Sequence, residues 1–538
     1  MNRLKQMRIC VLFLFFVLSA RVYYLTNAGG AVYARRAEKQ QSAEVALSNG
    51  RGNIYDKNMQ SFTTAGKKKA ALIVKSDDAD ADFSLCKLLD KEHAYALYNR
   101  LYKNKTVLTQ VDWDFNEGLL KEYKNVCITE DTKRYPDSGA GAAVIGYLSD
   151  GEGVSGAEKA FNDLLKNGDS YFLHVTKDAS GALLPGFSFQ KEINPKGMLL
   201  KTTLDKTYTE ICQNALKDVS GGAVLIEIPS FDLLAMASSP TFNQNKIDEV
   251  LQDDRKPLLN RAVARYDMGS VFKIVVLSAA LESGSISLDD AFVCTGEKTV
   301  GNIHFLCRNH RNVEKLTVRD AFVYSCNSVF IDIGLKTGYN NIIAMARRFG
   351  LDEKLIYPDS FPQSTGYLPD ENNYYLADAA NLSIGQGKLL GTAVHAAVFS
   401  AVIASGGVRH TVNLGDSLLN PSFEKKVDLR KNEEIKVISP NTAKAIKDMM
   451  IETVKNGTGR AAALDSVQCA GKTGSAQTGS ITDGTECVHG WFTGFFPADN
   501  PKYALCVFVE NGQSGAGAAA PIFKNIAQQI CISEGWET

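Results

Sequence analysis

The chain opens on its strongest hydrophobic signal. Positions 9–20 read ICVLFLFFVLSA behind Arg3, Lys5 and Arg8. Twelve residues are short for a hydrocarbon core that takes roughly 20. Continuing through Val22, Tyr23, Tyr24 and Leu25 supplies the missing length, with Arg21 snorkelling to the far interface. A cleaved signal peptide ending at Leu18-Ser19-Ala20 is the rival reading, and Arg21 directly after it is a poor flank for cleavage. The pattern predicts a cytoplasmic tail over 1–8, a membrane anchor over 9–25 and an exported remainder. Arg35, Arg36 and Lys39 blur the charge rule without stopping a large domain from translocating.

Residues 26–200 mix many short patterns. The stretch 156–166 (GAEKAFNDLLK) predicts an amphipathic helix, and 178–196, with Gly181, Pro185, Gly186 and Pro195, reads as loop. A boundary near 200 follows. Beyond it, 223–228 and 233–237 predict two strands around a Pro-Ser turn. The run 271–281 is apolar on nearly all sides, which predicts a buried helix ending before Gly284. Two more strands are predicted over 490–496 and 503–509, then a closing helix over 521–532. The fold class is therefore α+β: an antiparallel sheet assembled from distant segments and covered by helices.

Composition removes some function classes. The chain has 538 residues, 59 of them basic and 60 acidic, for a net charge of −1. That leaves no electrostatic footprint for nucleic acid. Eleven cysteines are too few for a disulfide scaffold, and the odd number leaves at least one free thiol. Neither H-E-x-x-H nor G-x-S-x-G occurs. Gly471-Lys472-Thr473 is no phosphate loop, because Ser466 stands at the upstream glycine position.

Three short motifs carry candidate chemistry: Ser270-Val271-Phe272-Lys273, Ser325-Cys326-Asn327 and Lys472-Thr473-Gly474. Chance supplies decoys at Ser84/Lys87, Ser439-Pro440-Asn441 and Lys336-Thr337-Gly338, so context must choose. Ser270 and Lys273 lie one turn apart at the start of the predicted buried helix, where the amine can reach the hydroxyl. A serine needs an adjacent base to become nucleophilic. A desolvated lysine can lose its proton near neutral pH and serve as that base, while helix N–H groups face a developing oxyanion. Ser84 instead sits in a polar, acidic stretch that keeps Lys87 solvated, and Gly338 reads as a helix cap.

On these motifs the chain resembles the class B penicillin-binding proteins, serine transpeptidases of cell-wall synthesis. The resemblance extends along nearly the whole chain. Arg51-Gly52-Asn53-Ile54-Tyr55-Asp56-Lys57-Asn58 is similar to the family's first pedestal motif. Arg134-Tyr135-Pro136, Ile145-Gly146-Tyr147 and Gly156-Ala157-Glu158 resemble later pedestal blocks, and Asn260-Arg261-Ala262, Gly385-Gln386-Gly387 and Trp491-Phe492-Thr493-Gly494 match in order. The sequence departs from the family with Met268-Gly269 for the usual proline-glycine, Ser475 where threonine is commoner, and His310-Arg311 where His-Gly is expected.

The resemblance implies a penicillin-binding/serine β-lactamase-like transpeptidase domain over 201–538 on an N-terminal pedestal over 26–200. It also implies a role for each motif residue. Ser270 would attack the penultimate D-alanine carbonyl of a stem pentapeptide, with Lys273 as base and Ser325 relaying a proton. Asn327 would hold the acyl-side amide and order Lys273. Lys472 would supply positive charge, while Thr473, Gly474 and Ser475 bind the terminal carboxylate. β-Lactams would mimic the donor, no cofactor would be required, and a SEDS-family lipid II polymerase is the implied partner. A β-lactamase or β-lactam sensor is one competing reading, opposed by the pedestal blocks. A non-catalytic scaffold is the other, opposed by the intact motif residues.

Cys294, Cys307 and His310 are spaced C-x12-C-x2-H between the first two motifs, and Cys326 sits within the second. An exported protein allows a Cys294–Cys307 disulfide. The same side chains suit a structural zinc, with Cys326 or an aspartate as a further ligand. Unlinked thiols are the third reading, and all three stay open on sequence alone.

Overall fold

The computed structural model describes residues 2–28, 30, 32, 42–46, 51–63, 66–112, 114–149, 151–166, 170–177, 183–192, 197–307, 313–482 and 484–536. The apolar run lies in α1 (Asn2–Tyr23), which a π-helical turn, Tyr24–Ala28, extends. Residues 3–27 are long and apolar enough to cross a membrane, and Leu12, Phe15 and Phe16 are all exposed. The helix begins before the apolar run, so the predicted tail is helical from Asn2.

The chain divides into two compact units. One combines Met1–Arg51, Gly66–Lys133 and Gly168–Asn194; the other combines Gly52–Ala65, Arg134–Asn167 and Pro195–Thr538. Residues 52–65 and 134–167, which the sequence reading places in the pedestal, thus fall with the larger unit.

The smaller unit contains β1 (Ser42–Ala46), β2 (Gly66–Val74), α2 (Ala79–Leu89), α3 (Ala94–Asn104), β3 (Thr106–Gln110), β4 (Val126–Lys133), β5 (Ser170–Lys177) and β6 (Leu183–Glu192). They form two antiparallel sheets, β1–β5–β6 and β3–β2–β4. Ile73 and Val107 of the second sheet pack with Leu85, Cys86, Leu97 and Leu101 of the two helices. The loop predicted over 178–196 is corrected here, because its described residues form β6. That strand is at the sheet edge, where Pro185 is tolerated without a ladder N–H.

In the larger unit the helix predicted over 156–166 is two short pieces, Gly156–Ala160 and Asn162–Leu165. Phe161 leaves helical geometry between them (φ −113°, ψ 22°) and buries its ring. Glu158 is fully buried and accepts from Arg134 Nε at 2.6 Å and Tyr135 Oη at 2.9 Å; Arg134 Nη2 donates to Gly52 O at 3.0 Å. Three of the sequence blocks are therefore parts of one buried cluster.

The remainder is built from β7 (Gly221–Glu227), β8 (Leu233–Ser239), α4 (Lys273–Glu282), β9 (Glu297–Val300), β10 (Ile303–Leu306), α5 (Val318–Val323), α6 (Asn327–Thr337), α7 (Ala393–Ala404), α8 (Pro440–Lys455), β11 (Ala470–Thr482), β12 (Thr485–Phe496), β13 (Tyr503–Val509) and α9 (Ala520–Ser533). The sheet order is β8–β7–β13–β12–β11, antiparallel throughout. Period-two alternation sends Val224, Ile226, Cys506 and Phe508 into one core with α4 and α7. The alternate residues, Ala223, Leu225, Leu505 and Val507, enter a second core with α9. Both sheet faces are covered, so β8 and β13 are buried along their whole length.

Candidate active site

Ser270 sits in a 3₁₀ turn, Gly269–Phe272, that leads into α4, so the α-helix starts at Lys273, two residues later than predicted. Gly269 adopts φ +57°, and its N–H donates to Gly385 O at 2.8 Å. A Cβ on Gly385 would meet Gly269 O, which is why the Gly385-Gln386-Gly387 block packs against this turn only as glycine. Lys273 is fully buried at the head of α4.

The lysine amine faces the second motif. Lys273 Nζ lies 2.9 Å from Ser325 O, 3.3 Å from Ser325 Oγ and 2.8 Å from Asn327 Oδ1. Ser325 adopts φ +59° immediately before α6, an unusual backbone for serine of the kind that gathers at functional sites. Among the described residues no hydrogen bond joins Ser270 Oγ to Lys273 Nζ; the amine is held by the second motif instead. Burial lowers the Lys273 pKa to about 7, against a smaller opposing pull from Cys326 and Cys307. The ring of Phe330 lies 5.1 Å from the same nitrogen.

Lys472, Thr473 and Gly474 lie on β11 itself. Lys472 is fully buried, its Nζ 3.2 Å from Thr473 O and 5.6 Å from the Phe322 ring centroid. Burial first, then the nearby Lys273, push its pKa well below the ordinary lysine value. Gly474 leaves room for Met268 O and Val271, and Ser475 Oγ accepts from Gly515 N–H at 3.2 Å.

Ser270, Ser325, Asn327, Thr473 and Ser475 line one cavity of about 510 Å³. The structure also brings in a residue that sequence reasoning missed. Thr458 Oγ1 lies 2.7 Å from Thr473 Oγ1, and Thr458 lines the cavity. Its local signal is Gly457-Thr458-Gly459, which the three-motif reading passed over. Trp491 is fully buried and its indole N–H donates to Asp267 O at 2.9 Å, three residues before Ser270. The decoys remain structural: Ser84 and Lys87 lie on α2, Gly338 caps α6, and Ser439 caps α8.

Cys294, Cys307 and Cys326 are buried free thiols whose sulfurs lie within 4.8 Å of one another. The Cys294–Cys307 disulfide reading is therefore corrected, because both thiols are free. The close pair is Cys307 and Cys326, at 3.5 Å. The Cys326 thiol, together with backbone N–H groups of Ser328 and Asn327, lowers the Cys307 pKa, and Cys326 is raised in turn. His310, named with these cysteines from sequence, lies outside the described residues.

Comparison with known proteins places this geometry. The profile described as "Penicillin binding protein transpeptidase domain" matches residues 221–528. The chain belongs to the penicillin-binding protein transpeptidases. A relative, peptidoglycan D,D-transpeptidase PbpA of Mycolicibacterium smegmatis, is 30% identical, over 72% of this chain and 82% of its own. Penicillin-binding protein A from M. tuberculosis, solved as a ceftriaxone acyl-enzyme complex, has a TM-score of 0.63 at 25% identity, covering 74% of this chain and 93% of that one. A structure titled for a peptidoglycan synthase complex that coordinates polymerization and crosslinking matches in fold with a TM-score of 0.70. It is 22% identical and covers 100% of this chain and 99% of that one. As a penicillin-binding transpeptidase this chain is a serine-type acyl-transfer enzyme with the α+β transpeptidase fold.

Proposed function

We propose that the protein cross-links peptidoglycan stem peptides through an acyl-enzyme on Ser270. The observation that best supports this reading is the buried Lys273 amine, held by Ser325 and Asn327 one turn from Ser270. Above about pH 7 that amine is neutral and takes the Ser270 proton. Ser270 Oγ attacks the penultimate D-alanine carbonyl, and the N–H groups of Ser270 and Ser475 hold the oxyanion, where losing one donor typically costs about 10²–10³ in rate. The proton passes through Ser325 Oγ to the departing D-alanine amine. Lys472, Thr473, Gly474 and Ser475 take the substrate carboxylate, whose negative charge opposes the burial that lowers the Lys472 pKa. An amine of a neighbouring stem then resolves the ester, and a β-lactam instead leaves Ser270 acylated. The direct test is D-alanine release from a diacetyl-Lys-D-Ala-D-Ala peptide. Wild type is expected to release it and S270A to fall to background; undiminished release by S270A overturns the assignment.

In this reading residues 9–25 anchor the chain with 1–8 cytoplasmic, while a pedestal over 26–200 and the transpeptidase domain over 201–538 stand on the outer side. A SEDS-family lipid II polymerase is the partner, a reading supported by the fold shared with the synthase complex. The cysteine cluster is assigned to a structural zinc. Three buried sulfurs within 4.8 Å suit a thiolate site. When bound, the metal supplies a cross-link, and one of the residues it joins, Cys326, lies within the second motif. Purified wild type should hold about one zinc per chain and C294S close to none. Metal-free wild type with full acylation activity overturns the zinc assignment.

A further inference from the structure

The second half of the transfer makes a demand that the three motifs leave open. An acceptor amine enters from water as an ammonium and attacks the acyl-enzyme only after losing a proton. Lys273 Nζ is engaged by Ser325 and Asn327, and Lys472 Nζ contacts the Thr473 carbonyl. Another nitrogen base stands at the same cavity.

His304 lies on β10 and lines the cavity with Ser270 and Asn327; it is the only imidazole among the described lining residues. The β9–β10 register pairs Thr299 with His304, so the two side chains share one face of the hairpin. Thr299 Oγ1 lies 2.9 Å from His304 Nδ1, fixing the ring, while Nε2 makes no hydrogen bond among the described residues. The ring is exposed at the cavity mouth, open to an incoming group. Two contacts fasten the hairpin to the helix that starts at Asn327. Lys298 Nζ meets Asp332 Oδ1 at 2.6 Å, and Asn327 Nδ2 donates to Leu306 O at 3.2 Å. The imidazole is thus carried by an element tied to the second motif.

We propose that His304 is the acceptor-side base of the transfer, taking the proton from the ammonium of the amine that resolves the acyl-enzyme. The proposal rests on the Ser270 acyl-enzyme reading. With Nδ1–H donating to Thr299 Oγ1, the lone pair on Nε2 accepts one proton from the ammonium. The free amine attacks the ester carbonyl, the C–N bond forms, and the bond from carbonyl carbon to Ser270 Oγ breaks. The amine's second proton returns to Ser270 Oγ through Lys273, and His304 releases its proton to water.

The test separates the two half-reactions in the full-length protein in detergent. The donor is N-benzoyl-D-alanyl thioglycolate, whose thiol release reports acylation, and the acceptor is glycylglycine. At neutral pH, H304Q is expected to slow thiol release by less than about threefold, yet to lower the ratio of aminolysis to hydrolysis by about 10-fold to 100-fold, at or just below the low end of general-base effects. T299V, which frees the ring, is expected to lower the same ratio by less. Raising the pH to about 9.5, above the roughly 8 of an α-amino group, should close the gap because the acceptor is already deprotonated. An unchanged ratio in H304Q, or thiol release and aminolysis falling in step, overturns the proposal. Absence of thiol release from wild type sinks the acyl-enzyme reading itself, which is a different failure.

Discussion

Lys273 gives up solvent to become a base. Its working form is the neutral amine, present above the folded value of about 7 and lost as pH falls through it. Acylation by a penicillin is therefore expected to rise through about pH 7 and level off above it. A stopped-flow profile that stays flat across that range contradicts the assignment. The same shift sets a stability slope. Between about 7 and the ordinary 10.5 the unfolded chain binds more protons at this lysine than the folded one, so this group makes stability rise with pH across that window. The spacing of Ser270, Lys273, Ser325, Asn327 and Lys472 made the candidate site legible in sequence. The lysines' surroundings were not legible, because Phe322, Phe330 and the thiols reach them only through tertiary packing. Thr458 was equally hidden: its bond to Thr473 joins positions on a loop and a strand that no local pattern links.

At the scale of elements, strands buried on both faces read clearly as apolar runs, and 223–228, 233–237, 490–496 and 503–509 all fall in the central sheet. Two elements were misread: the 156–166 helix, which Phe161 breaks in two, and β6, where proline and glycine suggested loop although an edge strand tolerates them. The sheet also shapes the nucleophile's approach. Trp491 on β12 reaches across to Asp267 O, steadying the segment that runs into the Ser270 turn. W491F keeps most of the ring and orphans that carbonyl, so a loss of about 1–3 kcal/mol in urea unfolding is expected, with slower acylation. A variant matching wild type in both would show that the indole hydrogen bond does not hold the turn.

For the whole molecule, the buried Glu158–Arg134 cluster and the five-stranded sheet carry motif blocks that the sequence resemblance singled out. The contact-based units cut across the boundary expected near 200, because 52–65 and 134–167 belong with the larger unit despite lying early in the chain. Sequence order cannot show such a return. The central claim is that this molecule acts by covalent acylation of Ser270. It is tested most directly by incubating the full-length wild type and S270A with a fluorescent penicillin and reading intact mass. The account expects a stable single adduct on wild type and none on S270A. An adduct that persists on S270A, or a folded wild type that no β-lactam acylates, would contradict it.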